Sequence, residues 1–235
     1  MTSDPEISEL ITGAKVELNC DIENLSQSFP SQPTLHETEV QAIENELQKL
    51  HHKQVISKCT PEKGQLLSPV FTRPKKDGSH RMILNLKCLN REVTYHHFKI
   101  DTLQTALRLI TQDCFMASID LKNACYSVPI HPKHRKLFRF SCKGHVWQYD
   151  CLPNGIAMTT RKFTKLLKLV FAWLRKKGTF LLPSLMTPYG QLTMNMFVNA
   201  MCWTLPTVSI TGVLYSFRRI RAEARTVHSI PGGHH

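Results

Sequence analysis

Apolar residues recur along the middle of the chain at two different spacings, and the switches between them mark the elements. Val40, Ile43, Leu47 and Leu50 fall at helical intervals, with Glu37, Glu39, Glu44 and Glu46 mostly off that face, which predicts a helix over residues 36–53. A hairpin follows. Ser68 to Arg73 reads as one strand, and Lys75-Lys76-Asp77-Gly78 as its turn, because Asp-Gly supplies the positive φ angles a tight turn needs. In the return strand, Arg81 to Lys87, the residues Met82, Leu84 and Leu86 alternate with Arg81, Ile83, Asn85 and Lys87. One face is therefore greasy and the other carries cations. Leu103, Leu107 and Ile110 predict a short helix over 101–111. Phe115 to Ile119 reads as a buried strand that ends at Asp120, with further strands over 127–130, 137–141 and 145–149. A basic helix over 158–176 has Phe163, Leu166, Leu167, Val170 and Leu174 on its core face and Arg161, Lys162, Lys165, Lys168 and Arg175 on its wet face. Helices and strands mix without regular βαβ alternation, which predicts an α+β fold.

The two ends lack this periodicity. Residues 1–34 are polar, with Ser26, Ser28, Pro30, Ser31 and Pro33 near the end, and read as an extended or disordered arm. Residues 179–217 contain no charged residue, and their apolar pattern fits neither helix nor strand, so an irregular tail is expected over 179–235.

Charge changes the picture more than composition does. Apolar content is 42%, ordinary for a globular chain, and the formal net charge is +12. That charge is uneven. Residues 1–50 carry ten acids and two bases, residues 51–150 seven acids and seventeen bases, and residues 151–235 only Glu223 against eleven bases. A basic middle and end suit a polyanionic partner, most simply nucleic acid, although a solvated basic surface would look the same. The eight cysteines form no CxxC pair, and Cys142 and His145 are the only close Cys/His spacing, so no zinc site is expected. The polar, acidic first residues carry no signal-peptide pattern, and scattered thiols fit a reducing compartment, so an intracellular location, cytoplasmic or nuclear, is expected.

Candidate chemistry centres on Ser118-Ile119-Asp120-Leu121-Lys122-Asn123-Ala124-Cys125-Tyr126. A carboxylate delivered by an apolar strand can hold Mg²⁺ beside substrate phosphates; taken alone, the same aspartate could also cap a helix. This segment resembles motif A of reverse transcriptases. Upstream, Arg73-Pro74-Lys75-Lys76-Asp77-Gly78-Ser79-His80-Arg81 through Asn90 resembles their fingers hairpin, and downstream Leu152-Pro153-Asn154-Gly155 resembles their LPxG palm motif. Order and spacing agree over roughly residues 35–178, and the wording is most similar to elements of the DIRS (tyrosine-recombinase) type. The resemblance implies a right-hand polymerase with fingers and a partial palm over 35–178.

It also implies roles. Asp120 would bind the catalytic Mg²⁺ ions, with the Leu121 carbonyl assisting. Lys75 or Lys76, with Arg81, would grip the triphosphate of a dNTP, since charge-assisted hydrogen bonds to phosphate are roughly twice as strong as neutral ones. These cations could equally be a solvated hairpin tip. Asn154 would touch the nucleotide sugar or the template base pair, or else serve only as a turn residue, and Gly155 would allow close backbone approach. Arg161, Lys162 and Lys165 would meet an RNA or DNA template-primer. Cys125 stands where an aromatic residue usually excludes the ribose 2′-hydroxyl, and Asn123 where a carboxylate is common.

One family feature is missing. Two-metal phosphoryl transfer needs several converging carboxylates, and the family supplies an Asp-Asp pair on a strand–turn–strand after the basic helix. Here no aspartate follows Asp150. The chain alone is therefore expected to lack polymerase activity, leaving as the alternative a non-catalytic nucleic-acid-binding protein. Its strand edges and apolar surface are expected to be left unpaired. The genetic code offers a cause. In the frame that starts on each third base, Met186-Thr187 must read Asp, Leu185-Met186 reads Asp if the leucine codon ends in G, and permitted codons before them read Phe-Ile. The tail is thus expected to be an out-of-frame translation from about residue 179. A membrane anchor over Met194 to Phe217, followed by Arg218, Arg219 and Arg221, is the weaker alternative, given Asn195, Asn199 and Pro206 within it.

Overall fold

The computed structural model describes residues 4–21, 32–74, 78, 80–97, 115–122, 124–176, 179–186, 192–198 and 221–229. The chain divides into two compact units, Met1–His96 with Val128–Thr159, and His97–Ser127 with Thr160–His235. The mixture of helices and antiparallel strands bears out the α+β expectation.

In the first unit, α1 (Pro5–Thr12) and α2 (Glu37–His52) are followed by β1 (Ile56–Cys59), β2 (Val70–Pro74), β3 (His80–Leu84) and α3 (Lys87–Glu92). Helix α2 buries Ile43, Leu47 and Leu50, the stripe its sequence marks, and packs on β1, β2 and β3. Each such side chain contributes about 1.5–3 kcal/mol on burial. The Glu39 carboxylate joins the helix start to β2: it accepts the His36 N–H at 3.0 Å and the Thr72 hydroxyl at 2.6 Å. Strands β2 and β3 form the predicted hairpin, with Gly78 at φ 76° in its turn, but the return strand ends at Leu84 and Lys87 already begins α3. Gln32 lies along β2, where its amide donates to the Val70 carbonyl at 2.6 Å and accepts the Val70 N–H at 2.9 Å. Two further strands, β5 (Arg139–Cys142) and β6 (His145–Tyr149), complete a three-stranded sheet of order β1-β6-β5 around buried Ile56, Phe140 and Tyr149.

The second unit holds β4 (Phe115–Lys122), the helix α4 (Thr159–Lys176, of which Thr159 belongs to the first unit), β7 (Thr179–Met186), β8 (Leu192–Val198) and β9 (Arg221–Ser229). Its four strands form an antiparallel sheet of order β7-β8-β4-β9. Phe163, Leu166, Leu167 and Phe171 are the buried apolar residues among the described positions of α4.

Several expectations are corrected. The arm is not featureless over residues 4–21: Asp4 caps α1 by accepting the Glu6 N–H at 2.9 Å, Pro5 starts the helix, and Ile7, Leu10, Ala14 and Val16 are buried. Asp-Pro-Glu is a helix-start signal that the polar composition of the arm conceals. The tail is not irregular where it is described, because it supplies three strands; β8 and β9 flank β4, so that strand is paired on both sides. A bulge between Pro183 and Met186 breaks the alternation by which a strand is recognised. Residues 124–127 form a 3-10 turn where a strand was expected to begin, and Leu137 and Phe138 close a second such turn before β5. Strand β4 runs on through Lys122, so Asp120 lies inside the strand and not at its end. The predicted helix over 101–111 lies outside the described residues, as does the proposed anchor beyond Val198. Among the described residues no helix is long and apolar enough to cross a membrane.

Candidate nucleotide and metal site

The predicted site residues fall in both units.

The first group sits on the hairpin. Register places Arg73 directly opposite Arg81. Directly opposed residues share a face of an antiparallel pair, and two like charges there repel unless an anion lies between or beside them. Arg73 is exposed, with its guanidinium carbon 5.8 Å from the centre of the Phe71 ring, and Arg81 is half-buried. Behind them Val70, Thr72 and Leu84 are buried. Lys75 and Lys76 lie outside the described residues. Arg73 was not singled out from sequence; counting outward from Asp77 pairs it with Arg81.

The second group is the turn after β6. Leu152 and Pro153 are buried, as are Ile156 and Met158, and between them Asn154 is half-buried and Gly155 exposed. Gly155 has φ 92°, and a Cβ there would meet nothing within 4 Å. Glycine is therefore required by backbone conformation and not by space. The Asn90 side chain on α3 holds this turn: its Nδ2 donates to the Gly155 carbonyl at 2.7 Å, and its Oδ1 accepts the Ala157 N–H at 2.8 Å. No periodicity in the sequence marks Asn90. Asp150, just upstream, is committed to Arg135 at 2.9 Å, so it is a structural carboxylate.

The third group lies on the sheet of the second unit. Asp120 and Leu121 occupy consecutive positions of β4, between β8 and β9. The register partner of Asp120 on β8 is Thr193, and on β9 it is Glu223. Sequence separation hides Glu223, which stands among arginines far from any motif. No Asp or Glu occurs in β7 or β8. Asp120 and Glu223 are thus the acidic residues that register pairs on this sheet among the described residues, fewer than the carboxylates that two-metal chemistry requires. Asn123 lies outside the described residues. Cys125 is buried, and burial pushes its thiol pKa up to about 12. It is a small protonated hydrophobe there.

The basic helix α4 divides. Arg161 and Lys165 are half-buried and Lys168 is exposed, but Lys162, expected on the wet face, is buried. Lys162 lies one helical turn before Leu166, beside Phe163, so it shares the apolar arc.

Residues 73–196 match the family described as Reverse transcriptase (RNA-dependent DNA polymerase). This chain belongs to the reverse transcriptase family. Similar relatives include the Transposon Tf2-7 and Tf2-8 polyproteins of Schizosaccharomyces pombe, each 23% identical over 168 residues that cover 69% of this chain and 12% of the polyprotein. The chain thus spans a small part of the curated relatives it matches. Among solved structures, the native Prototype Foamy Virus Protease-Reverse Transcriptase has a TM-score of 0.58 at 16% identity, over 92% of this chain and 26% of that one. A selenomethionine-labelled mutant of the same viral protein gives 0.58 at 18% identity, over 81% and 23%. Those two likenesses concern the fold, which the reverse transcriptase chain shares in part.

Proposed function

We propose that this chain is the fingers and partial palm of an RNA-directed DNA polymerase from a DIRS-type retrotransposon, that it binds template-primer and dNTP, and that it does not polymerise by itself. The single observation that carries the last point is that β7 and β8, the strand pair beside Asp120, contain no carboxylate. The first unit would be the fingers. Its opposed Arg73 and Arg81, with Lys75 and Lys76, would grip the triphosphate, and Asn154 and Gly155 would face the nucleotide. Asp120, with the Leu121 carbonyl, would hold Mg²⁺. Arg161 and Lys165 would contact template-primer. The buried Lys162 would serve the helix instead.

Out-of-frame translation from about residue 179 fits the same picture. Strand β7 ends at Met186, so the shifted-frame Phe-Ile-Asp-Asp, drawn from the junctions of residues 183–187, would fall at the end of β7, where the family places its Asp-Asp pair. Nucleotide sequence across codons 179–204 decides this: a shifted frame without Asp-Asp removes the explanation.

Two assays test the function. Fluorescence anisotropy with a labelled template-primer should give binding that weakens steeply with salt, because phosphate contacts release counterions. Primer extension with Mg²⁺ should give no product. Binding that is flat with salt, or Mg²⁺-dependent synthesis, would overturn the corresponding half of the proposal. The alternative of a non-catalytic nucleic-acid-binding protein rests on the same missing carboxylates, and predicts binding without any preference for a primer terminus plus dNTP.

A further inference from the structure

Asn90 follows the hairpin closely, on a helix anchored in the first unit. Leu86 and Leu89 are buried, and the Asn85 N–H donates to the Pro69 carbonyl at 2.8 Å, which ties the start of α3 to β2. From this base the Asn90 amide reaches across a long stretch of sequence to the turn after β6, donating to the Gly155 carbonyl at 2.7 Å and accepting from the Ala157 N–H at 2.8 Å. A planar group that donates and accepts at once is needed to bridge a carbonyl and an N–H two residues apart. Asparagine supplies that group at this length; aspartate supplies only the acceptor, and an apolar side chain supplies neither. The turn needs such a hold. Leu152, Pro153, Ile156 and Met158 anchor its two sides, while Gly155 at its exposed tip adds no side-chain contact of its own.

We infer that Asn90 is a positioning residue: one side-chain amide fixes the Asn154–Gly155 turn relative to the hairpin that carries Arg73 and Arg81. The distance between the group that grips phosphate and the group that meets the sugar or base is then set by Asn90. It need not touch the nucleotide. This rests on the nucleotide-binding role proposed for Asn154 and the hairpin. Misplacement of a binding group by a fraction of its hydrogen-bond length is costly, because the geometry it must meet is fixed by the ligand.

The test uses the full chain with Asn90→Ala and Asn90→Asp. The aspartate keeps the shape and the Ala157 acceptor, but loses the donor and sets a carboxylate against the Gly155 carbonyl. Affinity is measured separately for labelled template-primer and for dNTP added to that complex, and amide hydrogen exchange is followed at Ala157. Both variants should weaken dNTP binding about tenfold, the loss expected for a misplaced hydrogen bond, with template-primer affinity held within about twofold. Exchange at Ala157 should be about tenfold faster in Asn90→Ala. Equal loss of both ligands, or unchanged dNTP affinity in both variants, overturns the positioning role. If the unaltered chain binds template-primer but no dNTP, the nucleotide role of Asn154 fails and takes this inference with it. The Ala157 exchange rate then tells that failure from one in which Asn90 never held the turn.

Discussion

Asp120 on β4 stands directly opposite Glu223 on β9 in the antiparallel register. Like charges at directly opposed register positions cost stability, about 0.2–1 kcal/mol for a pair. Glu223→Gln should therefore stabilise the metal-free chain by roughly that amount, read as a rise in the urea midpoint at constant slope. A lower midpoint would show that this register pairing is not repulsive in solution.

The opposed Arg73 and Arg81 lead to a prediction about salt. If each meets one phosphate, Arg73→Ala and Arg81→Ala should each weaken ligand binding and lower the slope of log affinity against log salt by about 1. Anisotropy titrations at several ionic strengths measure both quantities. Unchanged slopes would mean that the guanidiniums face solvent and not phosphate.

Gly13 makes a third case. Its φ is 150°, and a Cβ there would lie 2.8 Å from the His131 Cα, which is backbone and cannot step aside. Gly13→Ala should destabilise the first unit by about 1–3 kcal/mol through strain and displacement of α1. Thermal melts compare the two proteins, and an unchanged midpoint would mean that the arm is not docked on His131.

The same arm should respond to pH. The Val16 N–H donates to His134 Nδ1 at 3.2 Å, so the bond needs a neutral ring. Burial lowers the His134 pKa below its ordinary 6.5, and His131, Lys15 and Lys136 lower it further, while Glu9 opposes them. A histidine whose folded pKa is depressed contributes stability that is complete above its unfolded value and is lost as pH falls through the folded one. Exchange at Val16 should therefore quicken as pH drops below 6.5, beyond the intrinsic trend, and His134→Gln should flatten that dependence.

Cys125 should be inert. With its thiol pKa pushed to about 12 by burial, it has almost no thiolate at neutral pH. Iodoacetamide at pH 8 should label Cys125 only after denaturation, as mass spectrometry would show. Rapid labelling in the folded chain would place the thiol at an open site instead.

What the sequence made legible follows from where local pattern and tertiary packing agree. Strand β6 spans His145–Tyr149 as predicted, and α2 runs from Glu37 to His52 within the expected 36–53, where the apolar period coincides with the buried Ile43, Leu47 and Leu50. The tail strands were not legible. Thr179–Met186 is apolar at most positions and is interrupted by a bulge between Pro183 and Met186, so it carries no clean period of two. The cap at Asp4 was present in the sequence but outweighed by the polar composition around it. Of the candidate site, the residues inside contiguous motifs could be named. Glu223 and Asn90 act through register and a long-range hydrogen bond, and nothing local announces either.

Gln32 has one more consequence. By giving and taking a hydrogen bond with Val70, its amide imitates a neighbouring strand for one residue of β2. A foreign extended chain seeking to zip onto that flank finds its first landing point occupied. A two-stranded hairpin so guarded offers one fewer open position from which intermolecular ribbons could grow.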